Sequence, residues 1–399
     1  MVCAQSRTLI MIVNDPIKNF DFLWETFHNR YPFFELRKVD WKQQFEIYRA
    51  KVTNRTNDDE LFEIFCDMLG PLNDGHVELI ANASGKRKKR YFRPEEKPRF
   101  HQAFEKQEIE QLFKTTGKTL ADNGFGLPEE TEAWMLHYSR SQEFGYIRIL
   151  ELEGVKKERL NAALDKIARD FDGLKGFIID IRDNPGGDDS TAITIINRFC
   201  DHKRVAFHRK TKVGPGKEDL TPLKTFYLEP QGEVQFTGPI ALLTCDSVFS
   251  GGEAFALAIK QLPYVTVIGD RTNGIFSYQL EKKLPNGWNL CLSYQIYFSA
   301  DMVCYEGKGV PVDIELRNSM VDIENGIDPL IARALEVLRS KNPPTIGARA
   351  VATSRCGIRA SSSWGFVFSV VRPYVRFGEL VNVSVIHQAR ETHGDLIPA

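Results

Sequence analysis

Gly176-Phe177-Ile178-Ile179-Asp180-Ile181-Arg182-Asp183-Asn184-Pro185-Gly186-Gly187 is the stretch on which the fold turns. Its apolar run is continuous rather than alternating, the pattern of a strand covered on both faces by helices. Gly186 and Gly187 directly after the strand allow a tight turn whose N–H groups could face an anion. A plain strand-to-helix turn that needs positive φ reads equally well from these residues. The Gly-x-Gly-x-x-Gly spacing of a dinucleotide site is missing.

The neighbouring segments repeat the theme. Phe144 to Leu150 and Tyr264 to Ile268 read as strands, and Ile240 to Thr244 as another buried one. Between them lie amphipathic helices, Val155 to Phe171 with Leu160, Leu164, Ile167 and Phe171 on one face, and Ser250 to Leu262. Alternating strands and helices predict an α/β fold with its ligand site at the carboxyl ends of the strands. Asn286-Gly287 is a hairpin turn, and the alternation from Trp288 to Phe298 predicts one half-buried strand after it. A helix over Asp328 to Ser340 closes this part.

Upstream, Phe20, Leu23, Trp24 and Phe27, and then Leu61, Ile64, Phe65 and Met68, follow helical spacing. The chain thus divides into a helical N-terminal subdomain (1–80), a polar connecting segment with some helix (81–143), a core (144–340) and a basic, poorly ordered tail (341–399). The tail carries seven basic against three acidic residues, +4, where the preceding 340 residues sum to -5. No function is assigned to it.

The 399 residues are 42% hydrophobic and 26% charged, which excludes a disordered or collagen-like chain. With 52 Lys and Arg against 53 Asp and Glu, there is no electrostatic case for nucleic acid as a partner. Lys86-Arg87-Lys88-Lys89-Arg90 reads as a solvated loop. No apolar run is long enough for stable membrane insertion or for a signal-peptide core, so the chain reads as non-exported, cytoplasmic by default. Its seven scattered cysteines (Cys3, Cys66, Cys200, Cys245, Cys291, Cys304, Cys356) suggest neither a disulfide framework nor a metal site. No cofactor is implied.

The chemistry-bearing residues are individually weak signals. Ser250, in Asp246-Ser247-Val248-Phe249-Ser250-Gly251-Gly252-Glu253, sits where a buried strand gives way to a helix N-terminus, a place that stabilises an anion. It could attack a carbonyl while the Gly251 N–H holds the oxyanion. Taken alone, a helix N-cap with Glu253 completing a capping box is the better reading. His76, after Asp74-Gly75, reads alone as a turn histidine, and Glu306, in a Gly/Pro-bounded loop, as an exposed carboxylate.

Together, Leu72-Asn73-Asp74-Gly75-His76-Val77, Asp180 to Gly187, Ser247 to Ala254, Ile268-Gly269-Asp270-Arg271-Thr272-Asn273-Gly274 and Tyr305 to Asp313 resemble, in this order, the C-terminal-processing (tail-specific) serine peptidases. The match is closer to their tricorn-core branch and spans about residues 16 to 340. The resemblance implies a crotonase-like (ClpP/crotonase-type) core, Ser250 as nucleophile, and Gly251 and Gly187 as oxyanion-hole donors. The tail-specific branch uses a lysine where this chain has Ile275, although Gln279 matches the glutamine that follows that lysine. Isoleucine cannot accept a proton, so the resemblance selects the tricorn-like arrangement, with His76 as general base and Glu306 as orienting acid. Residues 81–143 hold no clear PDZ module.

The resulting expectation is a serine endopeptidase acting on peptides or partly unfolded proteins through an acyl-enzyme. The fold resemblance also extends to retinoid-binding modules that hold apolar ligands and to crotonase-type acyl-CoA enzymes. Neither needs the Ser250, His76 and Glu306 set.

Overall fold

The computed structural model describes residues 15–81 and 88–342, together with the backbone of 374–376 and 379–381. The chain divides into two units, Met1–Pro344 and Thr345–Ala399. In the second, Tyr374–Arg376 and Glu379–Val381 pair antiparallel; the expectation of a poorly ordered tail otherwise falls outside the described residues.

In the first unit the helices are α1 (Pro16–Arg30), α2 (Trp41–Arg49), α3 (Asp58–Leu69), α4 (Arg99–Ala103), α5 (Lys106–Asp122), α6 (Lys157–Asp170), α7 (Asp189–Ile196), α8 (Gly251–Ile259), α9 (Met320–Asn325) and α10 (Pro329–Lys341). The strands are β1 (Glu78–Ala81), β2 (Arg90–Phe92), β3 (Glu129–Glu130), β4 (Leu136–Arg140), β5 (Phe144–Ile149), β6 (Gly176–Asp180), β7 (Arg204–Thr211), β8 (Lys224–Leu228), β9 (Ile240–Thr244), β10 (Val265–Gly269), β11 (Gln279–Lys283), β12 (Asn289–Ser293), β13 (Gln295–Phe298) and β14 (Ile314–Glu315).

This is a mixed α/β fold with a central seven-stranded sheet in the order β14-β10-β9-β6-β5-β4-β3. From β14 to β5 neighbouring strands are parallel; β4 and β3 join antiparallel. The unbroken apolar runs are explained by their two partners. Phe177 and Ile179 of β6, with Ile240 and Leu242 of β9, pack among residues of α6, α7 and α8. The intervening Ile178, Ala241 and Leu243 pack against Leu330, Ile331, Ala334 and Leu338 of α10. Each of the larger side chains, Ile, Leu or Phe, lost from water, contributes roughly 1.5–3 kcal/mol before entropy is counted.

A second body of apolar contacts joins α1, α2 and α3 to the four-stranded antiparallel sheet β11-β12-β1-β2. Phe20, Leu23 and Phe27, one face of α1, are fully buried there with Phe65 and Met68 of α3. Asn57 at the head of α3 closes a reciprocal capping box with Glu60, which fixes where that helix begins.

Two expectations change. The segment 81–143 carries α4, the 17-residue α5 and strand β4 of the central sheet, not only a polar connection. Its inward face sets Thr115, Thr116 and Thr119, all buried, between Leu112 and Leu120, so polarity there did not mean exposure. The alternating stretch 288–298 is two strands in two sheets: β12 pairs with β11 and β1, while β13 pairs with β7. Ser277 Oγ accepts the N–H groups of both Tyr294 (2.8 Å) and Gln295 (2.9 Å), so the chain leaves one ladder and enters the other at this point. Strands β7 and β8, whose side chains are mostly half-buried and polar, form the rest of that three-stranded sheet.

Of the basic run, Lys88 and Lys89 are exposed and Arg90 pairs on the surface with Asp59 and Glu63; the other two residues lie outside the described set. Among the described residues no helix is long and apolar enough to cross a membrane. Cys66, Cys200, Cys245, Cys291 and Cys304 are free thiols, and no group of three or more His, Cys, Asp or Glu is arranged to hold a metal ion among the described residues.

Candidate active site

Strand β9 ends at Thr244, and the chain turns through Asp246–Phe249 into α8. Ser250 occupies the cap position of that helix with φ 54° and ψ -121°, and its side chain makes no capping bond. A cap side chain reaches the first free amides from an extended backbone, which Ser250 does not have, so the capping-box reading falls. Positive φ in a non-glycine residue is strained, and here it leaves the hydroxyl partly exposed and without a hydrogen bond among the described residues.

Three backbone bonds hold this turn. Phe249 donates to Asn184 O (3.1 Å), Ser250 donates to Ile275 O (3.1 Å), and Val248 O accepts from Asn273 N–H (3.0 Å). Glu253, fully buried in α8, accepts Thr272 Oγ–H (2.6 Å) and Gly274 N–H (2.7 Å) on Oε1 and Ile275 N–H on Oε2. It therefore fixes the 272–275 loop and does not cap α8. Burial pushes its carboxyl up to about 8, with those three hydrogen bonds pulling the other way.

The Gly186-Gly187 turn lies against Ser250. Both glycines have positive φ, 102° and 129°. A Cβ on Gly186 would come within 2.6 Å of Phe249 O and 2.7 Å of Gly251 N, so only glycine admits this approach. Asn184 sets the turn by accepting Gly186 N–H (2.8 Å) and donating to Ile149 O (2.9 Å). Among the described residues the N–H groups of Gly187 and Gly251 donate to no acceptor. Two amides and one hydroxyl, all unbonded among the described residues, thus lie on adjoining turns.

Arg182, from the stretch that fixed the fold, has a different duty. It is fully buried and bonds Asp180 (2.6 Å) and Asp328 (2.9 Å), tying β6 to the head of α10. Removing one partner of such a group is costly because a buried charge is left unpaired.

His76 comes from the other layer, in the turn between α3 and β1. It is buried, its Nδ1 has no partner among the described residues, and its ring packs edge-on against Phe249 at 4.6 Å between centroids. Burial pulls its pKa down to about 4; Asp74 opposes this and Arg93 adds to it. Arg93 lies over the same Phe249 ring at 4.9 Å and pairs with Glu95 at 2.8 Å.

Glu306 is buried, not exposed. Its Oε2 accepts Phe276 N–H (3.0 Å) and its Oε1 faces the Arg37 guanidinium (3.3 Å). Burial and the nearby Asp74 hold its carboxyl well above the usual range, against the pull of Phe276 N–H and Arg37.

The structure therefore brings Ser250, Gly251 and Gly187 together, and sets His76 against the residue preceding Ser250. It forms no hydrogen bond from the His76 ring to Ser250 or to Glu306 among the described residues. Asp74, Arg37 and Arg93 are the members of this cluster that the sequence did not mark as functional; only the position of Asp74, two residues before His76, offered a signal. A polar cleft of about 400 Å³ runs beside the 273–275 loop, lined among others by Arg37, Asn73, Lys97, Arg99, Arg271 and Ile275.

Comparison with known proteins bears out the resemblance read from the motifs. Residues 143–316 match the model of peptidase family S41, and residues 14–70 that of the tricorn protease C1 domain. The carboxy-terminal processing protease CtpA of Bacillus subtilis is 27% identical over 176 residues, which cover 44% of this chain and 35% of that protein. A crystal structure of a candidate peptidase from Parabacteroides merdae is 26% identical with a TM-score of 0.67, over 83% of this chain and 99% of that one. Mature CPAF shares the fold at 14% identity and a TM-score of 0.62, over 83% of this chain and 98% of its own. The chain spans between a third and a half of the length of the first two curated relatives it matches.

Proposed function

We propose that this chain is a serine endopeptidase with a crotonase-like core and a helical N-terminal subdomain, cleaving peptides or partly unfolded protein segments. Ser250 is the nucleophile, His76 the general base, Glu306 the third, acidic member, and the Gly251 and Gly187 N–H groups the oxyanion hole. His76 takes the Ser250 proton as Oγ attacks the scissile carbonyl. The oxyanion is received by the two amides, and the protonated imidazole gives its proton to the leaving amine. Water then attacks the acyl-enzyme, with His76 again as base, and releases the second product. The hydrogen bond from Ser250 to His76 has to form as substrate is bound, as catalytic contacts often tighten only then.

The observation that carries this reading is the strained, unbonded Ser250 beside two unbonded amides. Such strain persists where the surroundings over-determine it, commonly at functional sites. The charged lining of the neighbouring cleft supports a peptide over an apolar ligand. Treatment with a fluorophosphonate followed by mass spectrometry tests it. One adduct on Ser250, absent from Ser250→Ala and slowed at least 100-fold in His76→Ala, is expected. An unlabelled, folded wild type would turn the reading towards apolar-ligand binding.

A further inference from the structure

The site contains two buried carboxylates, Asp74 and Glu306, that act on one another, and their surroundings differ. Asp74 is fully buried. Its Oδ1 accepts the backbone N–H of His76 (2.9 Å) and Ser293 Oγ–H (3.2 Å), and its Oδ2 accepts Tyr31 O–H (2.9 Å). Asn73 before it is in the left-handed region at φ 42°, so the turn that presents His76 is closed by the Asp74 side chain. Glu306 spends both oxygens elsewhere, on Arg37 and Phe276 N–H.

We propose that Asp74 is the positioning carboxylate of the site: it fixes the main chain of His76 and supplies the negative charge that balances the imidazolium formed when Ser250 loses its proton. The proposal rests on the peptidase reading for Ser250 and His76, and Glu306 keeps its bonds to Arg37 and the Phe276 N–H. The charged and titratable groups facing this turn are Tyr31 and Arg37 from the α1–α2 side, Arg93 and Glu95 from the segment after β2, and Glu306. Of these, Arg93 opposes a charge on His76, while Asp74 favours one.

The test is an NMR titration of the His76 ring in the full chain, followed by fluorophosphonate labelling rates. Asp74→Asn keeps an acceptor for the His76 N–H and removes the charge, so the His76 midpoint falls by about one pH unit and labelling at neutral pH slows about tenfold. Tyr31→Phe removes a donor from Asp74, leaves its charge less dispersed, and shifts the midpoint upward. Glu306→Gln leaves the midpoint in place. Opposite shifts from Asp74→Asn and Tyr31→Phe are not expected of a merely structural role. A midpoint unmoved by Asp74→Asn, or lowered as far by Glu306→Gln, overturns the proposal. Should Asp74→Asn not fold, an unmoved midpoint in Tyr31→Phe overturns it alone. Failure of the peptidase reading would be seen separately, as wild-type Ser250 that takes no adduct while the titration still reports on Asp74.

Discussion

The two halves of the candidate site are built on different foundations. Ser250, Gly251 and Gly187 hang from the carboxyl ends of β6 and β9, inside the central sheet and its two helical layers. His76 belongs to the layer of α1–α3 and the four-stranded sheet, and meets the first half through its ring contact with Phe249. The nucleophile half is held by backbone bonds, with the Asn184 and Glu253 side chains fixing the turns on either side. The base half depends on buried charges whose balance shifts with protonation. A rigid acceptor of charge and an adjustable source of protons are thus separated in the architecture.

Breaking the rigid half should have the largest effect. A Cβ on Gly187 would lie within 2.5–2.8 Å of the Leu152 and Glu153 backbone, at φ 129°. Gly187→Ala is expected to lower stability by about 2–4 kcal/mol and to slow Ser250 labelling more than 100-fold, checked by urea unfolding and adduct kinetics. If stability falls and labelling does not, the Gly187 amide is no part of the oxyanion hole.

The adjustable half should show itself in acid. His76 has a folded-state pKa of about 4 against about 6.5 unfolded. As pH falls from 6.5 to 4 the unfolded chain takes up a proton that the folded chain refuses, so stability is lost over that window. The loss amounts to about 3 kcal/mol. It should vanish in His76→Gln, measured as the difference between the two proteins' unfolding free energies at pH 7 and pH 4. A wild type and variant that lose stability in parallel would mean that His76 is not buried neutral.

The smallest effect is expected where the halves touch. Arg93→Met removes the cation over Phe249 and the repulsion on His76, raising the His76 midpoint by less than one pH unit. The same substitution should leave the Gly187 region unchanged in amide hydrogen exchange. Protection lost there as well would show that the halves are mechanically one.

The same division explains what the sequence disclosed. Strands β6, β9 and β10 could be read because parallel strands with both faces covered are continuous apolar runs. The turn glycines could be read because a positive φ or a close approach restricts residue type sharply, whereas Ser250 was marked only by the resemblance of its motif. Helix α5 was hidden because three of its five buried residues are threonines: Thr116 Oγ1 donates to Asp328 Oδ2 (2.6 Å) and Thr119 Oγ1 accepts Asp328 N–H (2.8 Å). Strands β7 and β8 were hidden because half-buried strands in a small sheet lack a clean alternation. The surroundings of His76 could not be read because Tyr31, Arg37 and Ser293 arrive from positions 43, 269 and 219 residues from their partners.

Position 275 separates what a main chain does from what its side chain does. The Ile275 N–H and C=O secure Glu253 and Ser250, and any residue other than proline offers the same two groups. The side chain carries none of that duty. A catalytic lysine could therefore be lost or acquired at this place without rebuilding the turn that bears the nucleophile, so the scaffold permits a change of proton acceptor as an exchange of one side chain. A lineage on this frame could try a new base while retaining its nucleophile.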